Sequence, residues 1–392
     1  MKNRWTALIA GVMIQIILGG IYAWSTLLAE LGETYGITKG QGGFIFGLCI
    51  TTFTLTMVFA GRFLVVHGPR LTASIGAALF TFGYLVASLS KGNYLLLLLG
   101  LGIFTGAGIG FGYVCPLSVG IKWFPQAKGL ITGISVAGFG SGAILLSSVA
   151  GYLLGNGMPI LVFLLLWGLL SGFILFVASL FMSEPPNSNK AKPKRATMKE
   201  VFSIQFMVCA IGIFAGTFAG LLINGNLLPL VEEGGIERPL SLISISLFAV
   251  GNTFGRIVWG HLFDRVGYKS IPISLFGLAF SSLVLLVQLP QWVLLSTICL
   301  IGFFFGSNFV IYASSIARYF GNTLFSTLYP ICFVAYGIAG FIAPGIGGYF
   351  DDLTGSFHTS LIGTFVIILV AGIFSVVKLD VFRVPVAFKK IE

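Results

Sequence analysis

The stretch "LFAVGNTFGRIVWGHLFDRVGYK", residues 247–269, contains an arginine, Arg256, inside a run that is otherwise mostly apolar. Runs of this length and hydrophobicity are typical of helices that cross the roughly 30 Å hydrocarbon layer of a membrane. An arginine in such a helix costs about 2.5–3.5 kcal/mol on insertion scales, and arginines that persist there usually face a cavity or a partner. The alternative is a side chain that extends to the cytoplasmic surface. The stretch therefore predicts a membrane-spanning helix that carries a cation into the protein interior.

The composition extends this prediction to the whole chain. Hydrophobic residues make up 57% of the sequence and charged residues 9%, against roughly 45–50% and 25% in soluble domains. Apolar runs of about 20 residues recur along the chain, so we expect an all-α integral membrane protein with about twelve transmembrane helices. The predicted spans lie near 4–29, 41–66, 71–90, 94–121, 128–154, 158–182, 204–230, 240–262, 270–288, 291–317, 321–349 and 358–380.

The positive charges are distributed unevenly between the two sides of these spans. Of 22 Lys and Arg residues, only Lys39, Lys91 and Arg238 fall on the outer side, and only Arg256 lies well inside a span rather than near its end. This asymmetry follows the positive-inside rule. It predicts a multi-pass protein of the cell (inner) membrane with both termini in the cytoplasm. We expect the chain to contact the lipid bilayer and not to bind nucleic acid. The sequence does not indicate an oligomeric state.

A polar linker divides the chain into two similar halves. The stretch "SEPPNSNKAKPKRATMKE" (183–200) is the longest polar segment, and "GRFLVVHGPR" (61–70) returns as "GHLFDRVGYK" (260–269). Six spans, a linker and six more spans form the pattern of a transporter built from two parallel repeats. The predicted boundaries are 1–182 for the N-terminal half, 183–203 for the cytoplasmic linker and 204–392 for the C-terminal half.

The repeated loop carries a recognisable motif. The pattern G-x-x-x-D-R-x-G-x-K/R is complete in the second half, at Gly260, Asp264, Arg265, Gly267 and Lys269. The first half keeps Gly61, Gly68 and Arg70, with Val65 and Val66 in place of the acid and the base. Together with the two halves, this motif resembles the major facilitator superfamily. The resemblance implies that the loops act in gating.

Further segments resemble one group within that superfamily. "GGIYAW" (19–24), "KWFPQAKGLITGISVAGFGSG" (122–142) and "TMKEVFSIQF" (197–206) are similar to segments of the oxalate/formate antiporter and monocarboxylate transporter group. The resemblance implies a secondary active transporter of small carboxylates that works by alternating access. It does not identify the substrate.

Two polar residues are predicted to form the centre of the binding site. Asn252 and Arg256 are four residues apart and share one face of a helix. A guanidinium can bind a carboxylate through two parallel hydrogen bonds. Because no Asp or Glu lies inside a predicted span, apart from Asp380 at the last position of the twelfth, we expect the counter-ion of Arg256 to be an anionic substrate. Asn252 is predicted to bind a hydroxyl or keto oxygen of that substrate.

Other polar and aromatic residues of the spans complete the predicted site. Each of them alone fits a packing role at least as well as ligand contact, and the hypothesis concerns the group. Its members are Tyr22, Trp24 and Tyr113 in the first half and Asn308, Tyr312, Tyr329 and Cys332 in the second.

The charges of the eleventh span bear on the substrate. The resemblance to oxalate/formate antiporters implies a second cation, a lysine on this span, but residues 321–349 contain no Lys or Arg. One buried cation suits one carboxylate, so we expect a small monocarboxylate such as lactate, pyruvate or glycolate. Oxalate/formate-type anion exchange is the alternative within the class.

The coupling ion is not fixed by the sequence. Monocarboxylate transporters of animals carry an aspartate four residues before the corresponding arginine, whereas this chain has Asn252, which does not titrate. Among the three histidines, only His358 opens a span, at its outer end. Proton symport is the favoured prediction, anion exchange remains open, and the proton-carrying group is unknown.

Two functions of other classes are the alternatives to transport. An enzyme would need acids, histidines or a nucleophile with its base inside the bilayer, and no His, Asp or Glu lies mid-span. A membrane sensor that binds carboxylates without transport remains open. The cysteines, Cys49, Cys115, Cys209, Cys299 and Cys332, show no paired spacing, so no disulfide, metal site or cofactor is expected.

Glycines four residues apart predict close helix packing. They occur at Gly102, Gly106 and Gly110 and again at Gly251 and Gly255. Such spacing allows helix backbones to approach each other in a membrane.

Overall fold

The computed structural model describes residues 3–186, 196–236, 238–287 and 290–382. Within these residues there are helices and no strands. The α-helices are numbered α1 to α16 in chain order. Residues 187–195 of the predicted linker and the two chain ends, 1–2 and 383–392, lie outside the described residues.

All twelve predicted spans correspond to helices. Ten segments of the described chain are long and apolar enough to cross a membrane. The other two predicted spans are the helices Arg238–Val266, which carries several charged residues, and Ser270–Val284, which has 15 residues. The expected helix at each position is therefore confirmed, although these two are less apolar or shorter than the rest.

The described chain forms two compact units. One comprises residues 1–125 and 138–193, and the other comprises 126–137 and 194–392. Residues 126–137, which the predicted boundaries assign to the N-terminal half, are grouped with the second unit.

The helices of the first unit are interrupted in two places. A 3-10 segment, Gly20–Ala23, separates α1 from α2, and a π-helical segment, Leu98–Phe104, separates α5 from α6. The carbonyl oxygen of Gly100, within the π segment, accepts hydrogen bonds from both the backbone N–H and, at 3.0 Å, the hydroxyl of Thr105. The helices are α1 Arg4–Gly19, α2 Trp24–Tyr35, α3 Lys39–His67, α4 Pro69–Ser88, α5 Tyr94–Leu97, α6 Thr105–Trp123, α7 Lys128–Gly155 and α8 Ile160–Leu180.

The second unit contains the remaining helices and the first turns of α7. A break at Asn226 separates α10 from the short helix α11. The helices are α9 Met198–Val201, α10 Ile204–Gly225, α11 Leu227–Glu233, α12 Arg238–Val266, α13 Ser270–Val284, α14 Gln291–Tyr319, α15 Asn322–Thr354 and α16 His358–Val377.

The glycine prediction is confirmed at Gly106 and Gly110 of the first unit, whereas Gly102 faces the side chain of Leu48. A Cβ atom on Gly106 or Gly110 of α6 would lie 2.6 Å or 2.7 Å from the carbonyl oxygens of Cys49 and Phe53 on α3. These distances are shorter than carbon and oxygen atoms tolerate, so α3 and α6 pack backbone to backbone only because these positions lack side chains.

Glycines also allow backbone contact between α12 and α14. Cβ atoms on Gly251 and Gly255 would overlap the carbonyl oxygens of Cys299 and Phe303. The helix that carries Arg256 is therefore held directly against the backbone of α14.

Candidate substrate-binding site

The two faces of α12 have opposite environments. Phe254 is 65% exposed, whereas Arg256, two residues and therefore about 200° further around the helix, is 0% exposed. The side chain of Arg256 does not extend to the surface, so that alternative is wrong. A guanidinium that is fully removed from solvent needs strong polar contacts, because burial of a charge is costly.

Neutral oxygen atoms accept hydrogen bonds from Arg256. Its Nε donates to Oδ1 of Asn252 at 3.1 Å, and its Nη1 donates to the carbonyl oxygen of Val136 at 2.6 Å. Its Cζ lies 4.3 Å from the centre of the Phe309 ring, where a cation is attracted by the ring face. These contacts from α7, α12 and α14 fix the plane and the position of the guanidinium.

Glycines bring these three helices together. A Cβ atom on Gly133 of α7 would overlap the carbonyl oxygen of Arg256, and one on Gly306 of α14 would overlap that of Asn252. Backbone contact on both sides of α12 therefore occurs at the turn that carries Asn252 and Arg256. Larger residues at these two glycines would move Val136 and Phe309 away from the guanidinium.

Asn308 and Tyr312 lie on a neighbouring face of α14 and pack against α10. Cβ atoms on Gly216 and Gly212 would overlap the side chains of Asn308 and Tyr312, respectively. Both side chains are buried, and within the described chain Oδ1 of Asn308 and the hydroxyl of Tyr312 have no hydrogen-bond partner. They are thus close-packed, and each keeps a polar atom that a ligand or a water molecule can bind.

Tyr329 and Cys332 are buried on α15. The Tyr329 hydroxyl donates to the carbonyl oxygen of Phe309 at 3.5 Å, at the limit of a hydrogen bond. Phe309 also packs edge-on against Tyr336, with ring centres 5.3 Å apart. Tyr329 therefore reaches the residue that contacts Arg256, through the backbone of α14.

The candidates of the first unit separate into two environments. Tyr22 and Tyr113 both pack edge-on against Phe139, at ring-centre distances of 5.4 Å and 5.2 Å. Trp24 instead lines a small internal cavity with Cys49 and residues of α3, α4 and the π segment. That cavity has room for about one water molecule. Tyr22 and Trp24 lie on either side of Ala23, where the 3-10 segment ends, and have different neighbours.

The loop motif of the second half connects the end of α12 to the start of α7 by hydrogen bonds. The two carboxylate oxygens of Asp264 accept hydrogen bonds from the backbone N–H groups of Gly129 and Leu130, both at 2.9 Å. A carboxylate at a helix N-terminus satisfies otherwise unpaired donors and interacts favourably with the helix dipole. Gly267, in the turn that follows α12, has a φ of +61°. Glycine adopts this left-handed conformation without the steric cost that a side chain would bring.

The remaining residues of the motif have simpler positions. Gly260 approaches the backbone of Gly129, whereas Arg265 and Lys269 are exposed. In the first half Gly61 is buried, Gly68 takes a φ of +83° between α3 and α4, and Arg70 is exposed.

Comparison with known proteins identifies the family. The family model of the Major Facilitator Superfamily matches residues 7–344. The chain belongs to the major facilitator superfamily. The predicted resemblance to this superfamily and the predicted all-α fold of twelve transmembrane helices are thereby confirmed.

The relatives of this superfamily member include carboxylate carriers. The oxalate:formate antiporter of Oxalobacter formigenes is 25% identical over 345 residues, which cover 82% of this chain and 78% of the antiporter. Apicoplast pyruvate carrier 1 of Toxoplasma gondii is 28% identical over 188 residues, or 37% of this chain and 34% of the carrier. Members of the major facilitator superfamily are transporters rather than enzymes, so the chain is a multi-pass membrane transporter.

A solved structure supports the fold. The crystal structure of the major facilitator transporter FucP in its outward conformation aligns with 95% of this chain and 98% of its own chain. The TM-score is 0.73 at 15% sequence identity. The similarity concerns the fold alone.

Two contacts of Arg256 and one buried polar group of the first unit were not predicted from the sequence. They are the carbonyl oxygen of Val136, the ring of Phe309 and the buried amide of Gln15, which donates to the carbonyl oxygen of Tyr113 at 3.4 Å. Gln15 had a signal, since a glutamine within an apolar span is unusual. A backbone carbonyl has none, because every residue carries one.

Proposed function

We propose that this transporter carries small monocarboxylates of the lactate and pyruvate type by alternating access, and that Arg256 binds the carboxylate. The observation that carries the proposal is the complete burial of Arg256 between Asn252, Val136 and Phe309. A cation held in an interior of low dielectric constant attracts an anion more strongly than one in water.

The fixed orientation of the guanidinium favours a carboxylate. Asn252 and Val136 accept hydrogen bonds from it on two sides, and it lies over the ring of Phe309. A preorganised group loses little conformational entropy when a ligand binds. Planar carboxylates match the paired donors of arginine better than they match the ammonium group of lysine.

The charge count supports one carboxylate rather than two. Residues 321–349, the eleventh predicted span, contain no Lys or Arg. A second carboxylate in the same ligand would need another cation or a costly desolvation. The two relatives, an oxalate:formate antiporter and a pyruvate carrier, support small carboxylates as a class.

We further propose that uptake is coupled to protons across the cell (inner) membrane. Asn252 does not titrate, so in this proposal the proton travels with the anion or through water rather than on that residue. The uneven distribution of Lys and Arg supports cytoplasmic termini. The predicted division at 183–203 into two six-helix halves is part of the same proposal.

Transport requires that the loaded carrier changes conformation readily. In the proposed cycle the bound carboxylate neutralises the charge of Arg256, and the neutral complex passes between the two access states. A ligand shifts such an equilibrium only by its difference in affinity for the two states. The bond from Asp264 to the start of α7 is proposed to form and break during the cycle.

The decisive experiment is uptake of labelled lactate and pyruvate into proteoliposomes, with and without an inward proton gradient. Arg256→Lys and Arg256→Gln should lower saturable uptake at least about 100-fold, because charge-assisted hydrogen bonds to the carboxylate contribute about 1.5–3 kcal/mol each. Arg62→Gln is the matched control, because Arg62 is exposed on α3. Near-normal uptake by both Arg256 variants would overturn the proposed role.

Anion exchange is the second candidate. It is favoured by the relative from Oxalobacter formigenes, which aligns over most of both chains. Counterflow of labelled oxalate against internal formate, with no effect of a proton gradient, would replace the symport proposal by exchange. Saturable binding of lactate without uptake or counterflow would instead identify a sensor.

A further inference from the structure

A short segment after α16 is docked onto the second unit. Residues Leu379–Phe382, called the strap below, form a 3-10 segment. Phe382 is only 3% exposed, although it is the last of the described residues. Burial of an aromatic ring removes a large apolar area from water. The strap is therefore held against other parts of the second unit rather than extending into solvent.

Two tyrosines contact the ring of Phe382. Tyr268 stacks on it, with ring centres 4.3 Å apart and an angle of 18° between the ring planes. Tyr319, the last residue of α14, packs edge-on against it at 5.6 Å and 88°. Aromatic pairs of these kinds stabilise a structure beyond the burial of their area. The ring thus contacts both the turn between α12 and α13 and the end of α14.

Hydrogen bonds fix the main chain of the strap. The carbonyl oxygen of Val381 accepts a hydrogen bond of 2.9 Å from Nε2 of Gln205, the second residue of α10. The N–H group of Val381 donates to the carbonyl oxygen of Lys378, which directly follows α16, at 3.2 Å. The strap consequently joins the start of α10 and the end of α16 to Tyr268.

Tyr268 belongs to the loop motif that contains Asp264. Its ring packs edge-on against Phe263, with ring centres 6.0 Å apart. Phe263 directly precedes Asp264, whose carboxylate accepts the two hydrogen bonds from the start of α7. Phe382, Tyr268 and Phe263 therefore form a continuous row of ring contacts from the strap to the residue beside Asp264.

We propose that the strap is an autoinhibitory contact, which holds the loop motif in the conformation where Asp264 caps α7 and so slows transport. The proposal rests on the proposed function in one respect, namely that the bond from Asp264 to α7 breaks during the cycle. A contact that is made in only one of two states stabilises that state. Loss of the strap contact should accordingly favour the state without the cap and speed the step that leads to it.

The first test is backbone hydrogen exchange in native protein and Phe382→Ala. Exchange at residues 129 and 130, whose N–H groups Asp264 binds, should become about two- to tenfold faster in the variant, because an aromatic pair contributes about 0.5–1.5 kcal/mol. The maximum rate of lactate uptake into proteoliposomes should rise at least about twofold, with little change in KM. Phe382→Tyr keeps the ring and should behave like the native protein.

Phe357→Ala is the matched control. It removes a ring that is equally buried, at 2% exposure, from the opposite end of α16, about 30 Å away along the helix. Phe357→Ala should lower thermal stability as Phe382→Ala does, but it should leave exchange at residues 129 and 130 unchanged. An equal increase of that exchange in both variants would overturn the proposal, because general loosening of the fold would then explain it.

Gln205→Leu tests the strap without removing a ring. It deletes the hydrogen bond to Val381 while keeping a side chain of similar size, so exchange and uptake should change in the same direction as in Phe382→Ala. If Phe382→Ala does not fold, Gln205→Leu decides the question alone. Unchanged exchange in the folded strap variants, or faster exchange with an unchanged or lower maximum rate of uptake, would overturn the autoinhibitory role. Absence of uptake by the native protein would overturn the proposed function instead, and exchange would still show whether the strap holds the cap.

Discussion

Asn252 and Arg256, one helical turn apart on α12, are joined by a hydrogen bond of 3.1 Å from Nε of the arginine to Oδ1 of the asparagine. The amide accepts this bond without carrying a charge. It orients the guanidinium and leaves the positive charge of the pair intact. A carboxylate at position 252 would orient the arginine equally well and would also neutralise it.

This relationship predicts the behaviour of Asn252→Asp. At neutral pH the new carboxylate pairs with Arg256 and competes with the substrate, so lactate uptake should fall at least about tenfold. Protonation of the new carboxyl group removes its charge and releases Arg256, so uptake should recover as the pH falls. The measurement is uptake at equal inside and outside pH between 5 and 8, which separates this effect from a proton gradient. Asn252→Ala should be impaired without gaining this pH dependence, and identical pH profiles of the two variants would contradict the explanation.

Gly306→Ala should destabilise the protein. Its Cβ atom would overlap the carbonyl oxygen of Asn252, and such overpacking typically costs about 1–3 kcal/mol. We expect a lower midpoint of thermal unfolding in detergent and a weaker apparent affinity for lactate. Gly363→Ala is the control, because nothing lies within 4 Å of the Cβ atom that it would add. A variant Gly306→Ala as stable as Gly363→Ala would show that α12 and α14 are not in backbone contact at this level.

Asp264→Ala should weaken the start of α7. The substitution removes two acceptors, for the N–H groups of Gly129 and Leu130, and loss of a helix cap costs about 0.5–2 kcal/mol. Asp264→Asn keeps one acceptor oxygen and should lie between Asp264→Ala and the native protein in thermal stability. The rate of backbone hydrogen exchange at residues 128–131 should be lowest in the native protein, higher in Asp264→Asn and highest in Asp264→Ala. Arg265→Gln serves as the control since Arg265 is exposed, and an equal effect of that change would contradict the capping role.

Phe309→Leu should reduce both stability and transport. The ring lies 4.3 Å from Cζ of Arg256, and a desolvated cation–π contact contributes about 2 kcal/mol. Phe305→Leu, one turn away on α14, removes a ring of the same size whose ring contacts include Phe248 and Phe309. We expect similar losses of stability from packing but a larger fall in lactate affinity for Phe309→Leu. Equal affinities in the two variants would mean that the Phe309 ring does not position the guanidinium.

The pair of Asn252 and Arg256 could be predicted from the sequence because a helix brings residues four apart together by local geometry alone. The same holds for the close packing at Gly106 and Gly255, since a small residue in an apolar helix has few other uses. For Arg256 the sequence left two outcomes, an interior position facing a cavity or partner and extension to the surface, and the structure decides for the interior.

The neighbours of Arg256 from other helices could not be predicted in this way. Val136 is 120 residues from Arg256 in sequence, and its contribution is a main-chain oxygen that any residue would supply. Phe309 is one of 38 phenylalanines, and nothing in its local sequence distinguishes it from those that face lipid. Trp24 was grouped with Tyr22 because both are aromatic residues of the first span, but Trp24, which follows the 3-10 segment between α1 and α2, lines a separate cavity.

The glycines of α10 constrain which substitutions this sequence can accept during evolution. Gly212, Gly216 and Gly220 each leave room for one side chain of α14, namely Tyr312, Asn308 and Phe305. A methyl group added at Gly216 therefore needs a smaller residue at position 308, and the reverse change opens a void. Substitutions at these paired positions should be tolerated together and harmful singly, so related sequences should vary there in step.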